Sequence, residues 1–208
     1  MTMLKFKLSI FVTIIFAVTV FGQEEYGIDT NHDLPEGLDV GDKVPHFKAY
    51  DLDGNLFDSK ETLKEKDIII IFYRGHWCSE CDMYLSNMSD SLNLLSEKGA
   101  VVVAITPETP ENALKTIENT GVNFIILSDH NEEIMEGFDV IFKVNENYLR
   151  KVDSKQGQGT DDINAQDEAR LPVPATFVIH CDGKIGFKYF DFNYNNRASV
   201  ASLISYLD

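Results

Sequence analysis

The chain has 208 residues, 44% of them hydrophobic and 14 of them Phe, enough to fill the core of one domain of ordinary size. Its formal net charge is −16. That balance argues against nucleic-acid binding, which needs a basic footprint, and against docking on anionic lipid.

The first residues read as a targeting segment. Lys5 and Lys7 are followed by an uncharged run, Leu8 to Phe21, and then by Gly22, Gln23 and an acidic stretch. This is the n-region, h-region and small-residue cleavage site of a secretory signal peptide. Residues 1–22 are therefore assigned to the signal, with Gln23 as the mature N-terminus. An exported protein, periplasmic or secreted, is expected. The apolar run of about 14 residues is shorter than the ~20 that span a bilayer, so no membrane attachment is expected after cleavage. Residues 23–40 are polar and acidic and are expected to be a flexible lead-in to a single domain over 41–208.

Phe47 to Tyr50 reads as a short strand, Asp53-Gly54-Asn55 as a turn, and Leu56-Phe57 as its hairpin partner. Ile68 to Tyr73 is continuously apolar and rich in β-branched residues, the pattern of a strand buried on both faces. A helix is expected over 79–98, with Leu85, Met88, Leu92 and Leu95 on one face and Gly99 at its end. Ala100 to Ile105 is a second buried strand. Thr106-Pro107-Glu108 and Pro110 open a helix that Gly121 stops, and Phe124 to Leu127 is a third strand. A short helix is expected over 131–138. Residues 141–171 are polar and read as an irregular insertion or lid. Within Leu171 to Ile179, Pro172 and Pro174 sit directly before a buried strand. Asp182-Gly183 turns it into a partner over 185–190, and a helix over 197–207 closes the chain. Helices between consecutive strands predict an α/β fold, with a central sheet covered on both faces.

There are three cysteines, Cys78, Cys81 and Cys181. Two cysteines three apart close too short a loop to restrain the unfolded chain, so Cys78-x-x-Cys81 reads as a redox pair or half a metal site. No second C-x-x-C or H-x-x-x-H supplies the other half, so neither metal nor cofactor is expected. Cys78 falls at a helix N-terminus, where free N–H groups and the helix dipole favour a thiolate. Cys81 lies one turn later, within reach of a disulfide with Cys78. Glu80 and Asp82 oppose a thiolate; Arg74 is the nearest cation in sequence and offsets them. Those acids point to a fairly reducing pair with a less acidic thiol. Pro174, read from sequence physics alone, is a trans proline starting an edge strand.

Three strings, Gly41-Asp42-Lys43-Val44-Pro45-His46-Phe47, Phe72 to Cys81 and Leu171 to Ile179 followed by Asp182-Gly183, give residues 41–208 a resemblance. They resemble the peroxiredoxin (alkyl hydroperoxide reductase and thiol-specific antioxidant) branch of the thioredoxin-like superfamily. The resemblance implies a thioredoxin-like fold with a central mixed sheet, a cis Pro174 beside the cysteine pair, and Trp77 packed next to it. It also implies catalysis by Cys78 and Cys81 on hydroperoxides or on disulfides, with an external dithiol such as a thioredoxin-type protein as reductant. The chain departs from the P-x-x-x-T-x-x-C signature of peroxiredoxins. Aligning Cys81 on the final Cys puts Arg74 and Cys78 at the Pro and Thr positions; aligning Cys78 puts Ile71 and Gly75 there. Either cysteine is thus a candidate for the attacking thiol.

A thiol-dependent peroxidase is the first expectation, and an envelope thiol–disulfide oxidoreductase the alternative. A third reading is a non-catalytic module that docks a partner or binds copper, because the C-x-x-C with His76 and His180 resembles copper-delivery members of the superfamily. Among lesser candidates, His76 is a loop residue or a thiol modulator, Cys181 a spare thiol or a distant resolving cysteine, and Arg197 a surface residue at a helix start or a neutraliser of thiolate.

Overall fold

The computed structural model describes residues 25–156 and 169–207. The assigned signal peptide, 1–22, lies outside the described residues, as does 157–168 of the expected insertion. A hairpin of β1 (Lys48–Tyr50) and β2 (Leu56–Asp58) leads through the short α1 (Ser59–Thr62) to β3 (Asp67–Phe72). Then come α2 (Ser79–Asp90), α3 (Leu92–Glu97), β4 (Ala100–Thr106), α4 (Pro110–Thr120), β5 (Ile125–Ser128) and α5 (Glu133–Gly137). The chain continues through β6 (Ile141–Lys143), α6 (Glu146–Gln156), β7 (Arg170–Pro172), β8 (Ala175–Ile179), β9 (Ile185–Phe190) and α7 (Val200–Ile204).

The main sheet has the order β5-β4-β3-β8-β9. Its first three strands are parallel, and β8 and β9 run antiparallel to their neighbours, which makes the sheet mixed. β3 lies at the centre, pairing Ile70 with Val103 on one side and with Phe177 on the other. The period of two splits its side chains between two cores. Ile69, Ile71 and Tyr73 pack with Leu85, Met88 and Leu95 of the helical layer. Ile68, Ile70 and Phe72 pack with Phe47, Phe57, Met135 and Phe138 under the hairpin and α5. This is the expected α/β, thioredoxin-like arrangement, with helices on both faces.

The helix expected over 79–98 is divided at Ser91, which leaves helical geometry at φ −102°, ψ 3°. Ser89, Asp90 and Ser91 are weak helix formers whose side chains compete for backbone groups. The closing helix is shorter than expected because Ser199 caps it, accepting from the Ser202 N–H, and so leaves Arg197 outside. α5 starts late for a related reason: Glu132 is left-handed at φ 63°, and the buried Asp129 carboxylate accepts from the Ile134 and Met135 N–H groups.

Two expectations are corrected. Residues 141–171 are not an irregular insertion where described. β6 and β7 pair antiparallel, with Phe142 opposite Leu171, and α6 stands between them. Strands of three residues and a helix rich in charge leave little periodicity to read. The lead-in 23–40 is not a loose segment where described, either. Ile28 is fully buried and bridges Val144, and Gly37 N–H donates to the Asp139 carbonyl at 2.9 Å. One buried isoleucine anchors a stretch whose composition is otherwise polar. Together these parts form a third core of Ile28, Phe142, Val144, Tyr148, Val152, Leu171 and Val173.

Leu85 is completely buried and Leu94 is 54% exposed. Leu85→Ala is expected to cost about 2–5 kcal/mol and Leu94→Ala less than about 0.5 kcal/mol in urea unfolding. Equal losses at the two positions would contradict the packing described.

Candidate functional site

The site forms where β3 runs out. Tyr73 still donates its N–H to the Ile105 carbonyl at 3.0 Å, and the chain then turns through Arg74, Gly75, His76 and Trp77. Gly75 sits at φ +146°, and a Cβ there would lie 2.6 Å from Glu108 Oε1 and 2.7 Å from Trp77 Nε1. The turn requires glycine on both counts. Cys78 N–H closes it on the Gly75 carbonyl at 3.0 Å, and Cys78 becomes the extended N-cap of α2.

Cys78 and Cys81 are joined as a disulfide with Cα atoms 5.2 Å apart, and both are almost wholly buried. The two sulfurs have different neighbours. Arg74 Nη2 lies 3.0 Å from Cys78 Sγ, whereas Arg197 Nη2 lies 3.6 Å from Cys81 Sγ. Arg74 is 2% exposed, and among the described residues no carboxylate pairs with it. Three aromatic rings enclose its guanidinium instead, with Tyr194, Trp77 and Tyr148 centroids 3.7, 5.3 and 5.8 Å from Cζ. Nη1 donates to the Tyr148 hydroxyl. Burial pushes the Arg74 pKa down, and Tyr148 and Tyr194 oppose that. Arg197 is lowered to about 10, first by burial and then by the charge of Arg74. It donates to the Tyr194 and Asn196 carbonyls.

Cys78 borders a cavity of about 240 Å³ that is also lined by Arg74, Trp77, Tyr148, Lys151 and Tyr194. Cys81 does not line it. Larger clefts lie elsewhere, against Leu92, Ile117 and Phe124 and around Lys98 and His180, away from the cysteine pair.

Behind the turn stands a carboxylate pair. Glu108, completely buried, accepts from the His76 N–H through both oxygens at 3.1 Å and lies 2.5 Å from His76 Nδ1. Asn119 Nδ2 donates to both the His76 carbonyl and Asp82 Oδ2 at 3.3 Å. Burial raises Asp82 to about 6, with the Glu108 charge adding to the shift. Asp82 Oδ1 is buried without a hydrogen-bond partner.

Of the residues expected from sequence, Arg74, Trp77, Cys78 and Cys81 come together, and Arg197 joins them. The pairing of Phe72 with Ala175 puts Pro174 at the same end of the sheet. The cis bond implied by the resemblance is not found: no cis peptide occurs among the described residues. Val173 N–H donates to the Val140 carbonyl at 2.7 Å, and the peptide before Pro174 has the ordinarily preferred trans form. β8 is interior to the sheet, so Pro174 leads into a central strand. Cys181 and His180 lie at the opposite end of the sheet, bonded to Asp67 at 2.9 Å. Neither meets the pair, so a resolving role for Cys181 within this chain and a copper site joining His180 to the C-x-x-C are both excluded by position. Tyr148, Tyr194 and Glu108 were not expected. The spacing of Tyr148 and Val152 at i and i+4 is the trace α6 leaves in the sequence, and Glu108 reads only as the acid ahead of a helix.

Asp82 supplies a check on these electrostatics. A carboxyl raised in the folded state binds its proton more tightly there than when unfolded. Its contribution is therefore lost as pH rises from about 4 to about 6. Asp82→Asn is expected to raise the unfolding midpoint at pH 7 and to lose that advantage near pH 4. An advantage independent of pH would show that folding does not raise the Asp82 pKa.

The AhpC/TSA family model matches residues 40–188. The chain is 26% identical over 163 residues to Peroxiredoxin Bcp of Escherichia coli K12, covering 78% of this chain and 92% of that one. It is 27% identical over 151 residues to the thiol-disulfide oxidoreductase ResA of Bacillus thuringiensis Al Hakam, covering 72% of this chain and 69% of that one. Among solved structures, the peroxidoxin BcpB of Mycobacterium tuberculosis superposes with a TM-score of 0.61 at 18% identity, over 84% of this chain and 97% of that one. The chain belongs to the AhpC/TSA family, and is an oxidoreductase.

Proposed function

We propose that the protein is a thiol peroxidase in which Cys78 attacks the hydroperoxide and Cys81 resolves. The observation that carries this reading is the Arg74 guanidinium, 3.0 Å from Cys78 Sγ at the edge of a cavity of about 240 Å³. A buried cation at contact distance stabilises the thiolate of Cys78. A cavity of that size admits a small hydroperoxide.

The Cys78 thiolate attacks the terminal oxygen of ROOH. An S–O bond forms, the O–O bond breaks, the departing alkoxide takes a proton from solvent to leave as ROH, and Cys78 becomes the sulfenic acid. The Cys81 thiol then attacks Cys78 Sγ, its proton goes to the departing hydroxyl, which leaves as water, and the disulfide forms. An external dithiol of thioredoxin type reduces the disulfide by two exchanges and is itself oxidised. The leader sequence supports the same chemistry outside the cytoplasm after removal of residues 1–22. N-terminal sequencing of the exported protein checks this, and a chain still starting at Met1 would refute it.

The second reading, thiol–disulfide exchange, draws on the C-x-x-C pair closed within one helical turn and on the missing Thr and Pro of the peroxiredoxin signature. Two assays on reduced protein separate the readings. Peroxide consumption is expected to vanish in Cys78→Ser. In Cys81→Ser it is expected to fall to a single turnover, with a sulfenic acid trapped on Cys78. Reduction of insulin disulfides without peroxide turnover would establish the second reading.

Arg74 and its support give a graded test. A hydrogen bond to a charged group contributes about 1.5–3 kcal/mol, so Arg74→Met is expected to lower kcat/KM for peroxide about 10- to 100-fold. Tyr148→Phe keeps the ring but removes the hydroxyl that accepts from Nη1, and a loss of about tenfold or less is expected. Wild-type rates in Arg74→Met would remove Arg74 from the mechanism.

A further inference from the structure

The arginine that activates Cys78 is held by a turn, and the turn is fastened from behind. We propose that Glu108, acting through His76, is a positioning residue that sets the Arg74 guanidinium on Cys78 Sγ. The inference rests on the reading of Cys78 as the attacking thiol activated by Arg74. Glu108 belongs to the β4–α4 connection, a different part of the chain from the turn, and no part of it lines the cavity at Cys78.

Glu108 is completely buried, which is costly for a carboxylate without partners. Its partners lie in the turn: both oxygens accept from His76 N–H, and Oε1 lies against His76 Nδ1. On its own side, Thr106 Oγ1 lies 3.4 Å from Oε2. The fit at Gly75 is close enough to exclude any side chain, since a Cβ would come within 2.6 Å of Oε1. The His76 carbonyl is taken by Asn119 of α4 at 3.3 Å. Residue 76 is thus held through its N–H, its ring and its carbonyl. Arg74 lies two residues before this fixed point and Cys78 two after it. Their separation of 3.0 Å follows from a turn that cannot slide or rotate.

The sign of the effect separates positioning from simple charge. Removing a nearby carboxylate favours a thiolate by Coulomb's law and speeds its reaction. Loss of position withdraws Arg74 and slows it. The measurement is the iodoacetamide alkylation rate of Cys78 at pH 7 in the reduced full chain, assigned by peptide mass, for wild type, Glu108→Gln, Arg74→Met and the double variant. Glu108→Gln keeps the side-chain shape but turns one acceptor oxygen into a donor facing the His76 N–H. It is expected to slow alkylation about tenfold, the equivalent of one unit in thiol pKa. In the Arg74→Met background the same change is expected to have no further effect, because it acts through Arg74.

Unchanged or faster alkylation in Glu108→Gln, with Arg74→Met slow, would overturn the positioning role and leave the Arg74 assignment standing. So would equal effects of Glu108→Gln in both backgrounds. Wild-type rates in Arg74→Met would overturn the underlying reading and this inference with it. If Glu108→Gln unfolds, Thr106→Val and His76→Asn weaken the same clamp from its two sides. Each is expected to slow alkylation several-fold at an unfolding midpoint near that of wild type, and unchanged rates in both would overturn the role.

Discussion

A guanidinium buried without a carboxylate is the constraint on which the rest of this structure depends. Stripping Arg74 of water costs several kcal/mol, and no ion pair among the described residues returns it. The return comes from three ring faces, one phenol and one sulfur. Each ring is worth about 0.5–2 kcal/mol and must be held in place to count. That requirement accounts for the third core. α6 carries Tyr148, β6 and β7 carry α6, and Ile28 with its neighbours closes the back. Tyr26 packs edge-on against Tyr194, and a Cβ at Gly27 would strike the Tyr148 ring at 2.7 Å. A segment ahead of the domain and a helix outside the sheet thus serve one side chain.

The sheet supplies the opposite wall. β3 is central, with both faces packed, so the point at which it ends is fixed. Tyr73, still bonded to Ile105, is the last residue that obeys the ladder. Two strand ends converge there: the end of β3 carries Arg74, and the corner after β4 carries Glu108. Because β3 and β4 are parallel, both ends lie on one side of the sheet. An antiparallel neighbour at that position would have sent the carboxylate to the far end, where His180 and Cys181 lie. The central strand pairing therefore decides which residues meet the disulfide and which do not.

What was legible in the sequence follows the strength of the physical signal. Ile68 to Tyr73 and Ala100 to Ile105 are buried on both faces and read without ambiguity, and with them the fold. Cys78 and Cys81 are legible because so short a loop has no structural use. Arg74 is legible as the nearest cation but not as a contact, since a sequence offset of four says nothing of a turn around a glycine at φ +146°. α6 was lost because its buried face is only Tyr148 and Val152 amid charge. Pro174 shows a resemblance and elementary energetics in conflict. The family pattern implied cis, while the structure has the ordinarily preferred trans bond. Glu108 was hidden by its plausibility as a helix opener, a role that an acid fills at no cost.

The two cysteines finally differ in a way that the spacing C-x-x-C conceals. Each faces a guanidinium, but Arg74 is closer to its sulfur, and the cavity opens only on Cys78. The two arginines also repel one another, as the lowering of Arg197 by Arg74 records. A negative charge on either sulfur would relieve that repulsion. This positive pocket lies inside a chain of net charge −16. The two fields act at different ranges. The surface charge is screened beyond about 8 Å at physiological salt, whereas the contact of Arg74 with Cys78 is hardly screened at all. An acidic exterior repels anionic disulfides and anionic peptides on approach but leaves a neutral hydroperoxide untouched. Under the proposed peroxidase reading, the exterior and the pocket favour the same reactant: small, uncharged on arrival, and negative only as its O–O bond breaks beside the guanidinium.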